Sequence, residues 1–518
     1  MLIAGEGDQV VVSKPHPAIL LPSVVLPSVP SPSVPSPSVL SPSVLLTSML
    51  RSGAGTVASG LLALSATKIL AVMLGASAVA LLETLQQIRQ IALVAATANG
   101  QTGLVQGASA LSGQARREFV RSILCVFALA TALVTALMLI FRERLAQAAG
   151  LPESSGGRLV AMLVAAVVLS SIFVFLSALL NAAGEIGRLA MLQVIAAAVM
   201  AAGAWPAAIA LRGGHPGALP ALLGMSGLIT VAAALKMTGP RRWLSGTGAW
   251  WRGRAAGHFF SVSGAMLATG LISTLGLMAV RGHIARGAGL EATGQFDAAW
   301  GISANHVTLV LTALQAWYLP RLARARSAEQ RARHVAAVFP VAILAATPLI
   351  VGLAVLRPLA LAILYSSAFH AASVCLRWTL IGDYFKVTAW VLAMPMLAAA
   401  DMGMFLAVDT LIQLVFVGAS WALSGIRPPA ESAAIGFTLS YSVCLAVSAW
   451  YAARRVGFRL TRMSAALWIA GFVVVALAAA NTWSDTSVSL PKAACWIAIT
   501  AAGALGIASR LFSWNPRP

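Results

Sequence analysis

Long apolar runs separated by short polar connections make up most of this 518-residue chain. An apolar run of about 20 residues is long enough to cross the hydrocarbon core of a bilayer as a helix. The runs lie near residues 55–76, 88–110, 119–141, 158–181, 189–211, 217–236, 259–281, 294–318, 334–356, 374–400, 402–424, 432–452, 462–481 and 489–509. The pattern predicts an all-α polytopic membrane protein with about fourteen transmembrane helices.

Composition supports this fold class and argues against a soluble one. Hydrophobic residues make up 59% of the chain and charged residues only 10%, so the bilayer must act as solvent for much of the apolar surface. The net charge of +20 is typical of nucleic-acid-binding proteins, but the basic residues are dispersed among the connections rather than gathered on one soluble domain. Alternate connections differ about twofold in Lys and Arg, and the positive-inside rule then predicts that both termini are cytoplasmic.

The chain divides into five segments. Residues 1–48 are a Pro/Ser/Val-rich tail, whose closely spaced prolines favour extended or disordered backbone, and translation could instead begin at Met49. We predict two six-helix lobes, with two additional helices after them. The predicted segments that follow the tail are 49–235 (first lobe), 236–258 (cytoplasmic interfacial linker), 259–455 (second lobe) and 456–518 (the last two helices). The linker alternates Trp and Arg, which is typical of a headgroup-layer anchor or, as an alternative, of a lipid-binding site.

No motif for a cofactor, a metal or catalysis is found in the sequence. The four cysteines lie in or beside apolar runs without metal-ligand spacing, and the seven histidines are scattered singly. A P-loop and a paired acidic motif for sugar transfer are missing too. These observations predict a protein that is not an enzyme and that needs no cofactor or metal.

Charged residues inside the apolar runs are the candidate functional residues. A charge at mid-bilayer costs about 2.5–3.5 kcal/mol on insertion scales, so each one needs a protein-facing or water-facing reason. The positive candidates for substrate contact are Lys68, Arg89, Arg281 and Lys386, with Asp383 as a paired acid, and Asp297 and Asp409 are candidates for ion coupling.

Helical spacing separates their roles. Asp383 and Lys386 are three residues apart and share one helix face, so they can pair, either to fix helix packing or to line a cavity. Arg377 lies on the other side of that helix and nearer its end, where it is expected to extend to the headgroups. Lys68 has no carboxylate three or four residues away, so its partner must come from another helix or from a ligand. Several cations with few acids favour an anionic substrate, such as a lipid diphosphate that carries sugars.

Residues 49–455 resemble the O-antigen and lipid III flippases, the polysaccharide-translocase branch of the MATE-like exporter superfamily. The resemblance is carried by "TKILAVMLG" (67–75), "YLPRLAR" (318–324) and above all "FHAASVCLRWTLIGDYFKVTAWVLA" (369–393). It implies two six-helix lobes around a central cavity and alternating access in a bacterial inner membrane. The implied substrate is an undecaprenyl-diphosphate-linked oligosaccharide. Four residues fall on charged positions of the family pattern: Lys68, Arg281, Asp383 and Lys386.

The chain departs from the family pattern in its first lobe. Family members often have Asn-Phe-Arg-Gln where this chain has Thr-Leu-Gln-Gln at 84–87, and Lys where it has Gln106. Arg89 could replace the missing cation. The expected partners are the lipid-linked oligosaccharide, membrane lipids, a polysaccharide polymerase and a chain-length regulator. A multidrug or small-solute exporter of the same superfamily and a membrane polymerase or ligase remain alternatives.

Overall fold

The computed structural model describes residues 59–513, apart from 61, 326, 400 and 484–486. The predicted tail at 1–48 and the alternative start at Met49 lie outside the described residues.

Helices joined by short connections account for nearly all of the described chain, and no strand occurs in that part. The helices are α1 (Leu62–Leu74), α2 (Ala76–Ala96), α3 (Gln101–Ala110), α4 (Gly113–Ile140), α5 (Arg142–Ala148), α6 (Gly156–Ala182), α7 (Ile186–Arg212), α8 (Ala218–Thr238), α9 (Arg241–Leu244), α10 (Gly253–Arg324), α11 (Ala328–Leu364), α12 (Ala372–Ala398), α13 (Met402–Leu423), α14 (Pro429–Tyr451), α15 (Arg462–Asn481) and α16 (Leu490–Ser513).

The predicted fold class is confirmed. In the described residues, 11 helices are long and apolar enough to cross a membrane, with α10 counted once. The other three predicted crossings correspond to α1, α2 and the second arm of α10. Of these, α1 is shorter in the described residues and α2 carries Glu83 and Arg89. From α4 onward, most helix bounds lie within a few residues of the apolar runs.

The predicted second helix at 88–110 is wrong. The structure begins α2 at Ala76, directly after Gly75, and a separate short helix, α3, covers the end of the predicted run. Gly75 has φ 77°, a left-handed conformation that glycine adopts without strain, so the chain breaks and turns there without a polar loop. The hydropathy pattern missed this helix start because Glu83 and Arg89 interrupt the apolar character of α2.

α10 consists of two arms that meet at Gly289. Its helical hydrogen bonding is continuous over 72 residues, but Gly289 has φ 85° and ψ 173°, which bends the chain between residues 253–288 and 290–324. Each arm corresponds to one predicted crossing, and both extend several residues beyond it.

Buried apolar side chains form several clusters. Two of them lie mostly among α1–α8, and the largest lies mostly among α10–α16. α2 contacts α10 closely, because a side chain added at Gly294 would collide with the Ala76 carbonyl. The division into lobes at 49–235 and 259–455 stays a prediction.

The last two helices, α15 and α16, pack against helices of the α10–α14 part of the chain. Tyr384 on α12 donates its hydroxyl hydrogen to the Trp468 carbonyl on α15 at 2.7 Å. On α16, Ile497 lies beside Gly352 of α11. These helices therefore contact α11 and α12 directly.

The linker between α8 and α10 folds onto the start of α4. Arg121 is fully buried and donates hydrogen bonds to the carbonyls of Leu244, Gly246 and Gly248. Trp243 is 4% exposed, so it packs in the protein interior instead of anchoring the linker in the headgroup layer. Trp250 and Trp251 are each 54% exposed and remain available for an interfacial position.

Candidate functional site

Five of the seven charged residues that the sequence singled out fall into two groups. The first lies at the end of the bundle where α1 ends and α2 begins, which we call the α1–α2 end. The second lies near the middle of α12. The first group contains Lys68, Arg281 and Asp297, and the second contains Asp383 and Lys386.

Arg281 is the centre of a buried network at the α1–α2 end. Its Nε lies 2.7 Å from Asp297 Oδ1, and both side chains are buried. Its terminal nitrogens lie 3.1 Å from Gln87 Oε1 and 3.7 Å from Glu83 Oε2, so the network joins both arms of α10 to α2. The structure thus brings together Arg281, a predicted substrate contact, and Asp297, a predicted coupling residue. Asp297 Oδ2 has no hydrogen-bond partner among the described residues.

Lys68 finds its partner at the end of another helix. Its ammonium group donates to the backbone carbonyls of Ile363 and, at 3.5 Å, Ala362, which are in the last turn of α11. The last carbonyls of a helix carry partial negative charge, so a cation is favourable there. This contact links α1 to α11.

Arg89 lies further along α2 and contacts α6. Its Nη1 donates to the Ser170 hydroxyl at 2.8 Å, while its Nε has no hydrogen-bond partner among the described residues. That Arg89 replaces the cation missing from the family pattern stays a prediction.

Asp383 and Lys386 lie near the middle of α12, but no ion pair joins these two described side chains. Asp383 is fully buried and accepts a hydrogen bond from the Ser303 hydroxyl on α10 at 2.7 Å. Its other close neighbour is His306, whose Nδ1 lies 3.9 Å from Asp383 Oδ2. The pairing expected from helical spacing is therefore wrong in this conformation.

Aromatic rings surround Lys386 instead. Its Nζ lies 5.3 Å from the ring centre of Tyr441 and 5.7 Å from that of Phe437, both on α14. The two helices approach closely because Gly382 has no side chain: a Cβ there would lie 2.6 Å from the Phe437 ring. Cation–π attraction holds the ammonium group over these rings without neutralising its charge.

Asp409 lies on α13, where its carboxylate accepts a hydrogen bond from the Ser273 hydroxyl of α10 at 3.1 Å. No ion pair joins Asp409 to Lys386 among the described residues. Ion coupling by Asp409 stays a prediction.

Arg377 does not extend to the headgroups as expected. It is 6% exposed, lies over the Trp483 ring at 3.2 Å from its centre, and forms an ion pair with Glu431 at 3.6 Å. Glu431 also accepts a hydrogen bond from the Trp378 indole at 3.1 Å and pairs with Arg427. The expectation failed because the Glu431 carboxylate, at the start of α14, supplies a partner inside the protein.

Sequence reasoning missed four residues that contact the charged side chains of the membrane helices: Gln87, Ser303, His306 and Glu431. His306 and Ser303 occur in an apolar run at helical spacing from each other, which was the one available signal. Which helix they face is a tertiary property that spacing within one helix cannot give.

An apolar cavity of about 520 Å³ lies between α2, α4 and α10. Its lining includes Ile88, Phe141 and Leu275, and the charged candidates are not part of it. Among the described residues, no three His, Cys, Asp or Glu side chains are grouped as metal ligands.

Comparison with known proteins identifies the family. The fold and the buried charges define a polytopic, MATE-like membrane protein. A family described as "Polysaccharide biosynthesis protein" matches residues 101–374, which is just over half of the chain. The chain belongs to this family. A search of curated proteins found no match.

Solved structures share the fold at low sequence identity. The lipid II flippase MurJ in an inward closed conformation matches with a TM-score of 0.68 at 14% identity, covering 89% of this chain and 99% of that chain. An inward-facing multidrug resistance MATE family transporter of the MOP superfamily has a TM-score of 0.62 at 12% identity, covering 77% and 94%. A MOP superfamily transporter from Pyrococcus furiosus has a TM-score of 0.56 at 12% identity, covering 79% and 94%.

Proposed function

We propose that this protein is a flippase that moves an undecaprenyl-diphosphate-linked oligosaccharide, such as an O-antigen repeat unit, across the bacterial inner membrane. Transport would run from the cytoplasmic to the periplasmic leaflet by alternating access of two six-helix lobes. The observation that carries this proposal is Lys386, a cation at mid-helix whose close contacts are aromatic rings. No carboxylate in the described part of the chain forms an ion pair with it.

A lipid diphosphate fits this position chemically. Phosphate oxygens form charge-assisted hydrogen bonds with Lys and Arg, and such bonds strengthen where water is excluded. Lys386 has no direct ion pair among the described residues, although the Asp383 charge and the Tyr441 hydroxyl act on it. A cation in this position is costly within a membrane protein, so a transient anionic partner gives Lys386 a reason to be there. The prenyl tail can stay in the bilayer while the sugar head crosses between the lobes.

Family membership supports the polysaccharide part of the proposal, and the shared fold with a lipid II flippase is compatible with a lipid-linked substrate. The positive-inside asymmetry supports cytoplasmic termini. Membrane lipids are then direct partners, and a polysaccharide polymerase and a chain-length regulator would act on the exported product.

The form of the connections argues against a polymerase or ligase. Those enzymes need a folded domain or a structured cleft that holds two substrates outside the membrane. In the described part of the chain, the longest connection runs from α8 to α10 and folds onto α4, as described above. The function proposed is therefore transport without catalysis.

Complementation of a flippase-deficient polysaccharide strain tests the proposal. Wild type and Lys236→Ala, which changes an exposed lysine at the end of α8, should restore surface polysaccharide. Lys386→Ala should fail although its membrane expression is normal. Equal restoration by all three proteins would contradict a role for Lys386 in the substrate path. Failure of wild type in strains covering several glycans would contradict the substrate class.

A further inference from the structure

Buried polar atoms without a side-chain partner occur where α12 faces the second arm of α10. Asp383 Oδ1 makes no hydrogen bond within the described residues, and the His306 ring nitrogens approach only backbone of their own helix, at Ile302 and Ser303, with no side chain within hydrogen-bond distance. Asp383 is completely buried, and the His306 side chain is 17% exposed. Leaving such atoms without side-chain partners inside a protein is unfavourable, so the arrangement needs a reason beyond packing.

The two side chains are placed to share one hydrogen. His306 Nδ1 lies 3.9 Å from Asp383 Oδ2, so a movement of about 1 Å would bring the pair to hydrogen-bond distance. Ser303 already donates to the same carboxylate oxygen at 2.7 Å and fixes its position. An imidazole nitrogen and a carboxylate oxygen so placed can hold one proton between them.

A metal cation fits this place poorly. Hard cations such as Ca²⁺ take about six to eight oxygen ligands, whereas Asp383 has one hydroxyl and one imidazole beside it. The other titratable or charged groups that face the pair are Lys386 on α12 and Tyr441 on α14. Asp409, on α13, is hydrogen-bonded to Ser273. A proton is the cation that an imidazole and a carboxylate oxygen hold in common.

We propose that Asp383 and His306 form a proton-binding site whose occupancy is coupled to anion binding at Lys386. This coupling rests on the flippase function proposed above. In the proton-free state the carboxylate lies close to Lys386 and competes with an anionic head group for its charge. One proton from water binds to the pair, is shared between the imidazole and the carboxylate, and leaves again to water. No covalent bond forms or breaks apart from the N–H or O–H bond to this proton.

Linkage makes the coupling reciprocal. If a diphosphate binds more tightly to the protonated protein, then diphosphate binding must also raise the affinity of the site for the proton. For one coupled proton, the affinity changes by up to about tenfold per pH unit between the two titration midpoints. Release of the proton would weaken the hold of Lys386 on the head group after it has crossed.

Proton counting tests the site independently of any substrate. The purified full-length protein in detergent is titrated between pH 5 and 8 in weak buffer, with K⁺ in place of Na⁺. Asp383→Asn and His306→Gln should each bind about one proton fewer than wild type. Ser170→Ala removes no ionisable group and is the control, which should titrate like wild type. Titration of the site variants like wild type, or a missing proton in Ser170→Ala, would overturn the site.

A second variant and a binding measurement complete the test. If Asp383→Asn does not fold, His306→Gln decides alone, because His306 makes no hydrogen bond to another helix in the described part of the chain. Farnesyl diphosphate affinity, measured at several pH values, then tests the coupling. Wild-type affinity should fall by several-fold per pH unit as pH rises, and that of His306→Gln should change less, because only the titration of the diphosphate itself is common to both proteins. The same pH dependence in both proteins overturns the coupling, whereas no binding to wild type contradicts the proposed substrate class and leaves proton counting to decide the site.

Discussion

Arg281 Nε lies 2.7 Å from Asp297 Oδ1, and these two residues belong to opposite arms of the bent helix α10. Because Glu83 and Gln87 on α2 contact the same guanidinium, one buried cation ties together three helical segments at the α1–α2 end. This geometry favours a packing role for a residue that the family resemblance assigned to the substrate path.

Removing Arg281 alone should therefore destabilise the protein strongly. Arg281→Met leaves Asp297 buried with no cation beside it, which typically costs about 3–5 kcal/mol. The double variant Arg281→Met/Asp297→Asn removes both charges and should recover much of that loss. Unfolding in detergent, followed by tryptophan fluorescence, measures the difference.

The control is Arg142→Met, which breaks a surface ion pair with Glu143 whose side chains are 52% and 62% exposed. Such pairs contribute about 0–1 kcal/mol, so this variant should unfold like wild type. If the double variant regains stability but not export, Arg281 also contacts substrate. Equal stability of Arg281→Met and wild type would refute the packing role.

Lys68 offers a second prediction, based on its contact with the last turn of α11. A cation at a helix C-terminus is worth about 0.3–1 kcal/mol, and up to about 2 kcal/mol when partly buried. We expect Lys68→Met to lower stability by about 1 kcal/mol and Lys68→Arg to retain most of it. Lys236→Met, outside this contact, should have no effect. Normal stability of Lys68→Met together with lost export would instead identify Lys68 as a substrate contact.

The sequence predicted the fold class and most helix bounds because each depends on local hydropathy. It identified Lys68, Arg281, Asp297, Asp383 and Lys386 as charges within apolar helices for the same reason. Their partners lie on other helices: Lys68 contacts α11, Arg281 contacts α2, and Asp383 contacts Ser303 on α10. Spacing within one helix predicted an Asp383–Lys386 pair, but the close approach of α12 and α14 at Gly382 places the lysine over aromatic rings instead.

Gly382 provides a third prediction about this approach. Alanine at this position would place its Cβ 2.6 Å from the Phe437 ring and 3.1 Å from the Thr438 Cα, so the two helices must separate. Overpacking of this kind costs about 1–3 kcal/mol. The displaced rings would also change the surroundings of Lys386 and reduce export.

Gly418 is the matched control, because nothing lies within 4 Å of a Cβ built there. Replacing an unconstrained helical glycine by alanine stabilises a helix by up to about 1 kcal/mol, so Gly418→Ala should be neutral or stabilising. The same unfolding measurement compares both variants. A stabilising effect of Gly382→Ala would show that α12 and α14 do not approach as described.

Glu431 provides a fourth prediction, because it is the shared partner of two arginines with very different exposure. Arg377 is buried, whereas the Arg427 side chain is 54% exposed, although both lie 3.6 Å from the same carboxylate oxygen. Glu431→Gln should cost about 3 kcal/mol, since it leaves Arg377 without a counter-charge inside the protein. Arg427→Gln should cost less than about 1 kcal/mol. Similar losses in the two variants would contradict this assignment.

Arg89 carries the last prediction, which concerns the substrate path rather than stability. Its Nη1 is bonded to the Ser170 hydroxyl, and its charge has no ion pair within the described residues, so it can still meet an anion. We expect Arg89→Gln to lower polysaccharide export at least tenfold at normal expression, while Arg89→Lys retains a measurable part of it. Ser170→Ala removes the same hydrogen bond without removing the charge and should export normally. Undiminished export by Arg89→Gln would show that Arg89 does not replace the cation missing from the first lobe.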